Sequence, residues 1–176
     1  MQNTQWRCVH VRKRFERIVA LHLEKQALET FVPSYRMHER SPESQPRIEL
    51  PLIPGYVFFK CDSVQREAIH AIPGVLTIVR SGDGIGIVPT HEIENLQRVV
   101  NSGISCELCP HLPGQSVTVE DGPLQGISGV LANTIGKRRL VLPISLLGRS
   151  VAVEIDDSCR LSLGHPPRSE ALCVRH

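Results

Sequence analysis

Apolar and polar positions follow two different periods along this chain, and the change of period divides it. Trp6 to Val11 alternates loosely, with Trp6, Cys8 and His10 set against Arg7, Val9 and Val11, the two-residue period of a strand. Phe15 to Leu28 holds no proline or glycine and is rich in Leu, Ala, Glu and Lys, which predicts a helix. Its apolar residues spread over more than one stripe, so broad packing is expected. His22, Lys25 and Gln26 share a polar stripe by their spacing of three and four. Thr30 to Tyr35 predicts a second strand, interrupted at Pro33 in the manner of an edge or bulge. The polar, proline-containing Met37 to Pro46 predicts a hairpin loop.

The densest stretch follows: Leu50-Pro51-Leu52-Ile53-Pro54-Gly55-Tyr56-Val57-Phe58-Phe59-Lys60. Pro54-Gly55 predicts a turn, because proline fixes φ and glycine tolerates positive φ. Tyr56 to Phe59 predicts a strand with Tyr56 and Phe58 on one face and Val57 and Phe59 on the other. Both faces are apolar. Either the strand is covered on both sides, or one face is a docking surface.

Beyond it, Ser63 to Ile72 predicts a short helix with Asp62 or Ser63 as N-cap. Pro73-Gly74 turns the chain into a strand at Val75 to Val79. Gly82-Asp83-Gly84 is a turn and Ile85 to Val88 a short strand. Thr90 is the expected cap of a last helix whose Glu92 and Glu94 complement its dipole. Ile93, Leu96, Val99 and Val100 form its apolar face. Residues 1–102 thus predict an α+β domain, an antiparallel sheet flanked by helices. Residues 103–112 read as a linker. From Pro113 to Leu161 short β-rich runs (Ser116 to Glu120, Gly129 to Ala132, Arg139 to Pro143, Val151 to Ile155) are spaced by glycine turns, which predicts a small all-β barrel over 113–161. Residues 162–176 read as a tail.

Composition sharpens this picture in two places. In the 176 residues, hydrophobic content of 41% and charged content of 22% are ordinary for a globular chain, but aromatics are only 4%, so their clustering around Tyr56 carries weight. Net charge is only +2, yet Trp6 to Arg40 holds eight Lys/Arg against four Glu. That local excess fits a polyanion partner or a solvated basic face. No apolar run approaches the roughly eighteen residues of a membrane span and no signal-peptide pattern is present, so a cytoplasmic protein without membrane association is expected. The six cysteines are then expected as thiols. Cys106 and Cys109 form a single CxxC with His111 nearby, short of the four ligands of a structural zinc site. No Ser, His and Asp residues share a catalytic motif. The chain reads as a non-enzyme without metal or cofactor.

One motif ties these features to a family. Val117-Thr118-Val119-Glu120-Asp121-Gly122-Pro123-Leu124-Gln125-Gly126-Ile127-Ser128-Gly129-Val130 resembles the KOW motif, and Ser145 to Arg149 with Val151 to Ile155 resembles the later strands of a KOW barrel. The first module resembles the N-terminal domain of NusG proteins in Trp6, Leu23-Glu24-Lys25-Gln26, Val32-Pro33, Pro54-Gly55-Tyr56-Val57-Phe58, Ile72-Pro73-Gly74-Val75 and Ile78-Val79. Order and spacing match over roughly Gln5 to Leu161.

The resemblance implies a transcription elongation or antitermination factor. Its N-terminal domain would dock on the clamp helices of the RNA polymerase largest subunit through Tyr56 and Phe58, helped by Ile53 and Trp6, and would suppress pausing. Trp6 fits core packing equally well. Specialised paralogs of the RfaH and UpxY type also read the non-template DNA strand, and the matching positions here are Arg12, Lys13, His22, Lys25 and Gln26. The segment Ser63 to Glu67 lacks the threonines with which RfaH-type proteins touch the far side of the cleft, leaving Arg66 and His70 as substitutes. The KOW barrel would recruit Rho or a ribosomal protein through Ile127, Leu147 and Arg149. Its glycines and β-branched residues favour the barrel over a helical alternative. A monomer is expected. Three other readings stay open: a housekeeping factor coupling to Rho or the ribosome, an RNA-binding KOW protein, and a thiol or zinc protein built on Cys106 and Cys109.

Overall fold

The computed structural model describes residues 4–36, 49–62, 66–110, 113–134 and 137–164. The expected hairpin loop at Met37 to Pro46, the Ser63 cap and residues 165–176 of the tail lie outside them.

The first strand, β1 (Gln5–Val11), is followed by α1 (Glu16–Lys25), by the short strands β2 (Glu29–Phe31), β3 (Ser34–Arg36) and β4 (Glu49–Pro51), and by β5 (Tyr56–Cys61). Then come α2 (Arg66–His70), β6 (Val75–Ile78), the β7 (Arg80–Ser81) and β8 (Gly84–Ile85) pair, and α3 (Thr90–Ser102). Four strands form one antiparallel sheet in the order β2-β5-β1-β6. The aromatic strand β5 is therefore central, flanked by β1 and β2. Cys8 faces Phe58 and His10 faces Tyr56 across the ladder, so the even-numbered side chains of both strands share one face.

The two faces bury different partners. On one, Val9, Val11, Val57, Phe59 and Cys61 pack with Val19, Ala20 and Leu23 of α1 and with Ile69 of α2. On the other, Trp6, Cys8, Phe58 and Ile53 pack with Ile93, Leu96 and Val99 of α3. The strand predicted to be apolar on both sides is thus covered on both sides. Pro33 splits the predicted second strand in two, and the second piece pairs with β4 as a separate hairpin.

The turn before β5 is anchored from α1. The buried Glu16 side chain accepts a 2.8 Å hydrogen bond from the Gly55 N–H. Gly55 sits at φ +87°, a conformation that disfavours any side chain. Removing the acceptor leaves a buried N–H unpaired. Glu16→Ala is expected to cost about 1–3 kcal/mol, measured as a shift in the urea unfolding midpoint.

The second half is a six-stranded antiparallel sheet in the order β14-β10-β11-β12-β13-β9, built from β9 (Cys106–Pro110), β10 (Gln115–Val119), β11 (Ser128–Thr134), β12 (Lys137–Ile144), β13 (Arg149–Ile155) and β14 (Leu161–Leu163). Two expectations are corrected here. The segment 103–112 is not simply a linker, because β9 pairs with β13 from Cys106↔Val153 to Pro110↔Arg149. Residue 162 does not open a tail, because β14 closes onto β10. In both cases a short strand gains its hydrogen bonds from a distant partner, and local pattern carries no sign of it.

Candidate docking site

The residues expected to dock lie together, but in a sealed environment. Phe58 is 0% exposed, Ile53 1% and Trp6 3%. Phe58 lies 6.4 Å from the Phe31 ring. Trp6 bridges to Val88 and carries the Lys60 ammonium 5.8 Å above its ring, so it works as core packing. Tyr56 is half-buried and stacks on His10 with centroids 5.0 Å apart. It is the accessible rim of the aromatic face.

The seal extends beyond the first sheet. A single buried cluster runs from Trp6, Ile53 and Phe58 through Ile93, Leu96 and Val99 of α3 into Leu124, Ile127, Leu140, Leu142 and Ile144 of the six-stranded module. Three polar or close contacts fasten the modules. Glu92, 4% exposed in the first turn of α3, accepts a 3.0 Å bond from the Ser145 N–H and a second from the Ser145 hydroxyl. Arg98 donates to the Gln125 carbonyl. A Cβ on Gly86 would fall 2.3 Å from Leu146 Cδ1, so the glycine permits a close approach. Burial pushes the Glu92 carboxyl up, offset in part by the Ser145 bonds.

The sequence pattern places Glu92 at a helix N-terminus and carries no sign of its second task. An acidic residue in a first turn is ordinary, and nothing in the sequence marks Ser145 as its partner. Thr90 was expected as the cap, but Pro89 occupies that position and no side chain caps the helix.

The expected nucleic-acid residues fall into two groups. Arg12 and Lys13 are exposed at the turn into α1, and Lys25 and Gln26 are exposed at its far end, with His22 half-buried. Ten residues of helix separate the groups by about 15 Å. They form a track along α1, on the sheet face opposite α3, rather than one pocket. Arg66 and His70 are exposed on α2.

In the second module Ile127, expected to contact a partner, is 0% exposed. Its N–H donates to Leu124 and its carbonyl accepts from Val119, which pulls the side chain into the core. Leu147 is half-buried against the same cluster and Arg149 is exposed. Among the described residues the module's other cations are engaged: Lys137 with Glu154 at 2.9 Å, Arg139 with Glu107 and Glu154, Arg138 with the Asp157 carbonyl, and Arg160 with Asp121 at 2.9 Å.

Cys106 and Cys109, three apart on β9, point to opposite faces, so the CxxC pair does not converge on one ion. Burial pushes both thiols up, away from the thiolate form. Among the described residues no three His, Cys, Asp or Glu side chains gather to hold a metal, and no helix is long and apolar enough to cross a membrane.

Comparison with known proteins agrees with this architecture. The chain is 27% identical over 151 residues to the transcription termination/antitermination protein NusG of Buchnera aphidicola subsp. Baizongia pistaciae, covering 81% of this chain and 82% of that one. The NusG of Buchnera aphidicola subsp. Acyrthosiphon pisum is 28% identical over 136 residues, covering 73% and 74%. Among solved structures, one described as the domain interaction in Thermotoga maritima NusG superposes with a TM-score of 0.54 at 19% identity, covering 87% of this chain and 93% of that one, a likeness of fold. The family model described as transcription termination factor nusG matches residues 4–97, more than half of the chain, and the chain belongs to the NusG family of transcription termination/antitermination factors.

Proposed function

We propose that this protein acts on transcribing RNA polymerase, docking on the clamp helices of the largest subunit through the face made by β1, β5 and α3, and suppresses pausing. The observation that carries this reading is the aromatic face itself. In a chain poor in aromatics, Tyr56, Phe58 and Phe31 sit side by side next to Ile53 on one side of the sheet. Such clustered aromatics are the usual anchors of a protein interface.

Because the face is buried in a cluster shared with the second module, docking requires the two modules to part. Once apart, the second module, read as a KOW barrel, is available to recruit Rho or a ribosomal protein through Leu147 and Arg149. The basic track along α1 faces away from α3 and supports contact with the non-template DNA strand, the property of RfaH- and UpxY-type paralogs. A phosphate-tracking surface of this kind weakens steeply as salt rises.

The test is a single-round transcription assay with cognate RNA polymerase. The wild type is expected to shorten pauses, and Tyr56→Ala, which alters the accessible rim, is expected to lose most of that effect. Unchanged pausing on every template, with a folded protein, would overturn the reading.

A further inference from the structure

The contact between the modules is chemically unusual at one point. Most of it is apolar, but Glu92 places a carboxyl group inside it at 4% exposure, and both carboxyl oxygens are taken by a single residue of the other module, Ser145. A carboxylate buried with two neutral donors, the positive end of α3 and a neighbouring His91, but no cation in hydrogen-bond contact, is only partly compensated, and burial still outweighs these aids. On α3 the neighbouring titratable groups are His91 and Glu94, both exposed. The turn Ser145–Leu147 that meets Glu92 carries no charge, and the next charged residue after it, Arg149, is exposed. The segment leading into α3, Gly86 to Pro89, carries none either.

We propose that Glu92 is the latch between the two modules: its carboxyl group, held by Ser145, sets the fraction of molecules in which the docking face is closed, and closure loosens as that group gives up its proton. Protonation costs the contact nothing. The Glu92 hydroxyl then donates to Ser145 Oγ, which turns from donor to acceptor, while the second oxygen still accepts from the Ser145 N–H. Ionisation keeps both bonds but adds the cost of burying a charge.

The direction follows from linkage. Burial raises the carboxyl group's proton affinity in the closed form, whereas in the open form it is solvated and ordinary. Closing therefore takes up protons. The closed-to-open ratio is highest below the ordinary Glu range and falls as pH rises through the raised value, by up to about tenfold per pH unit. The link to polymerase docking rests on the function proposed above, but the latch itself does not.

Fluorescence transfer between labels at the exposed Leu21 and Leu163 positions of the full chain would follow separation from about pH 4 to pH 8, with circular dichroism verifying the fold. The wild type is expected to lose transfer as pH rises. Glu92→Gln, a neutral mimic of the protonated group, is expected to stay closed with a flat profile, and Glu92→Lys to be open throughout. Ser145→Ala, the milder variant, is expected to open the protein several-fold at each pH. The same pH slope in Glu92→Gln as in the wild type, or a Glu92→Lys or Ser145→Ala protein as closed as the wild type, would overturn the proposal. A Glu92→Lys protein that opens yet binds cognate polymerase no better than the wild type would leave the latch standing and remove the docking reading.

Discussion

Replacing Phe58 by alanine is expected to lower the unfolding free energy by about 3–5 kcal/mol. The ring has no exposed surface, sits on the central strand opposite Cys8 and Phe31, and belongs to the cluster that spans both modules. The loss combines the removed apolar contact with a cavity that a sheet flanked on both sides cannot close. Guanidinium unfolding checks it, and a change below about 1 kcal/mol would contradict the observed burial. The result governs how docking experiments are read: a polymerase-binding defect in Phe58→Ala confounds folding with contact. Tyr56→Ala is the cleaner probe, because that ring is half-exposed and loses mainly its stack on His10, worth about 0.5–1.5 kcal/mol.

Ile127→Ala is expected to cost about 2–5 kcal/mol, for the same reason at the other end of the cluster. Its side chain is fully buried, and its backbone closes the turn that contains Gly122 and Gly126, where positive φ values of 77° and 81° make the glycines necessary. Thermal unfolding of the full chain checks it, with Arg149→Ala as the control, expected within about 0.5 kcal/mol of the wild type. A partner-binding loss in Ile127→Ala accompanied by this destabilisation would report on folding. The same loss in Arg149→Ala would report on the interface.

Long elements with helical composition or spacing were readable in the sequence. The run from Phe15 to Leu28 contains the helix Glu16–Lys25, the spacing of Ile93, Leu96 and Val99 predicts α3, and Pro54-Gly55 marks the turn that Glu16 holds. The aromatic face was readable too, because alternation alone sets Tyr56 beside Phe58. What escaped depends on distant partners. The strands Ser34–Arg36 and Glu49–Pro51 are three residues each, too short to show a period. Cys106–Pro110 looks like a linker until Arg149–Ile155 supplies its ladder. The covering of the aromatic face was unreadable for the same reason: it depends on Leu146 meeting a glycine and Ser145 meeting Glu92 across more than fifty residues of chain. The expectation that Ile127 contacts a partner rests on family resemblance rather than on its own surroundings, which bury it.

The most direct test is an equilibrium titration of cognate RNA polymerase with wild type, Glu92→Lys and the double variant Glu92→Lys/Tyr56→Ala, each verified as folded. The account predicts tighter binding by Glu92→Lys than by the wild type, and a loss of binding when Tyr56→Ala is added to it. Equal affinity for all these proteins would contradict it.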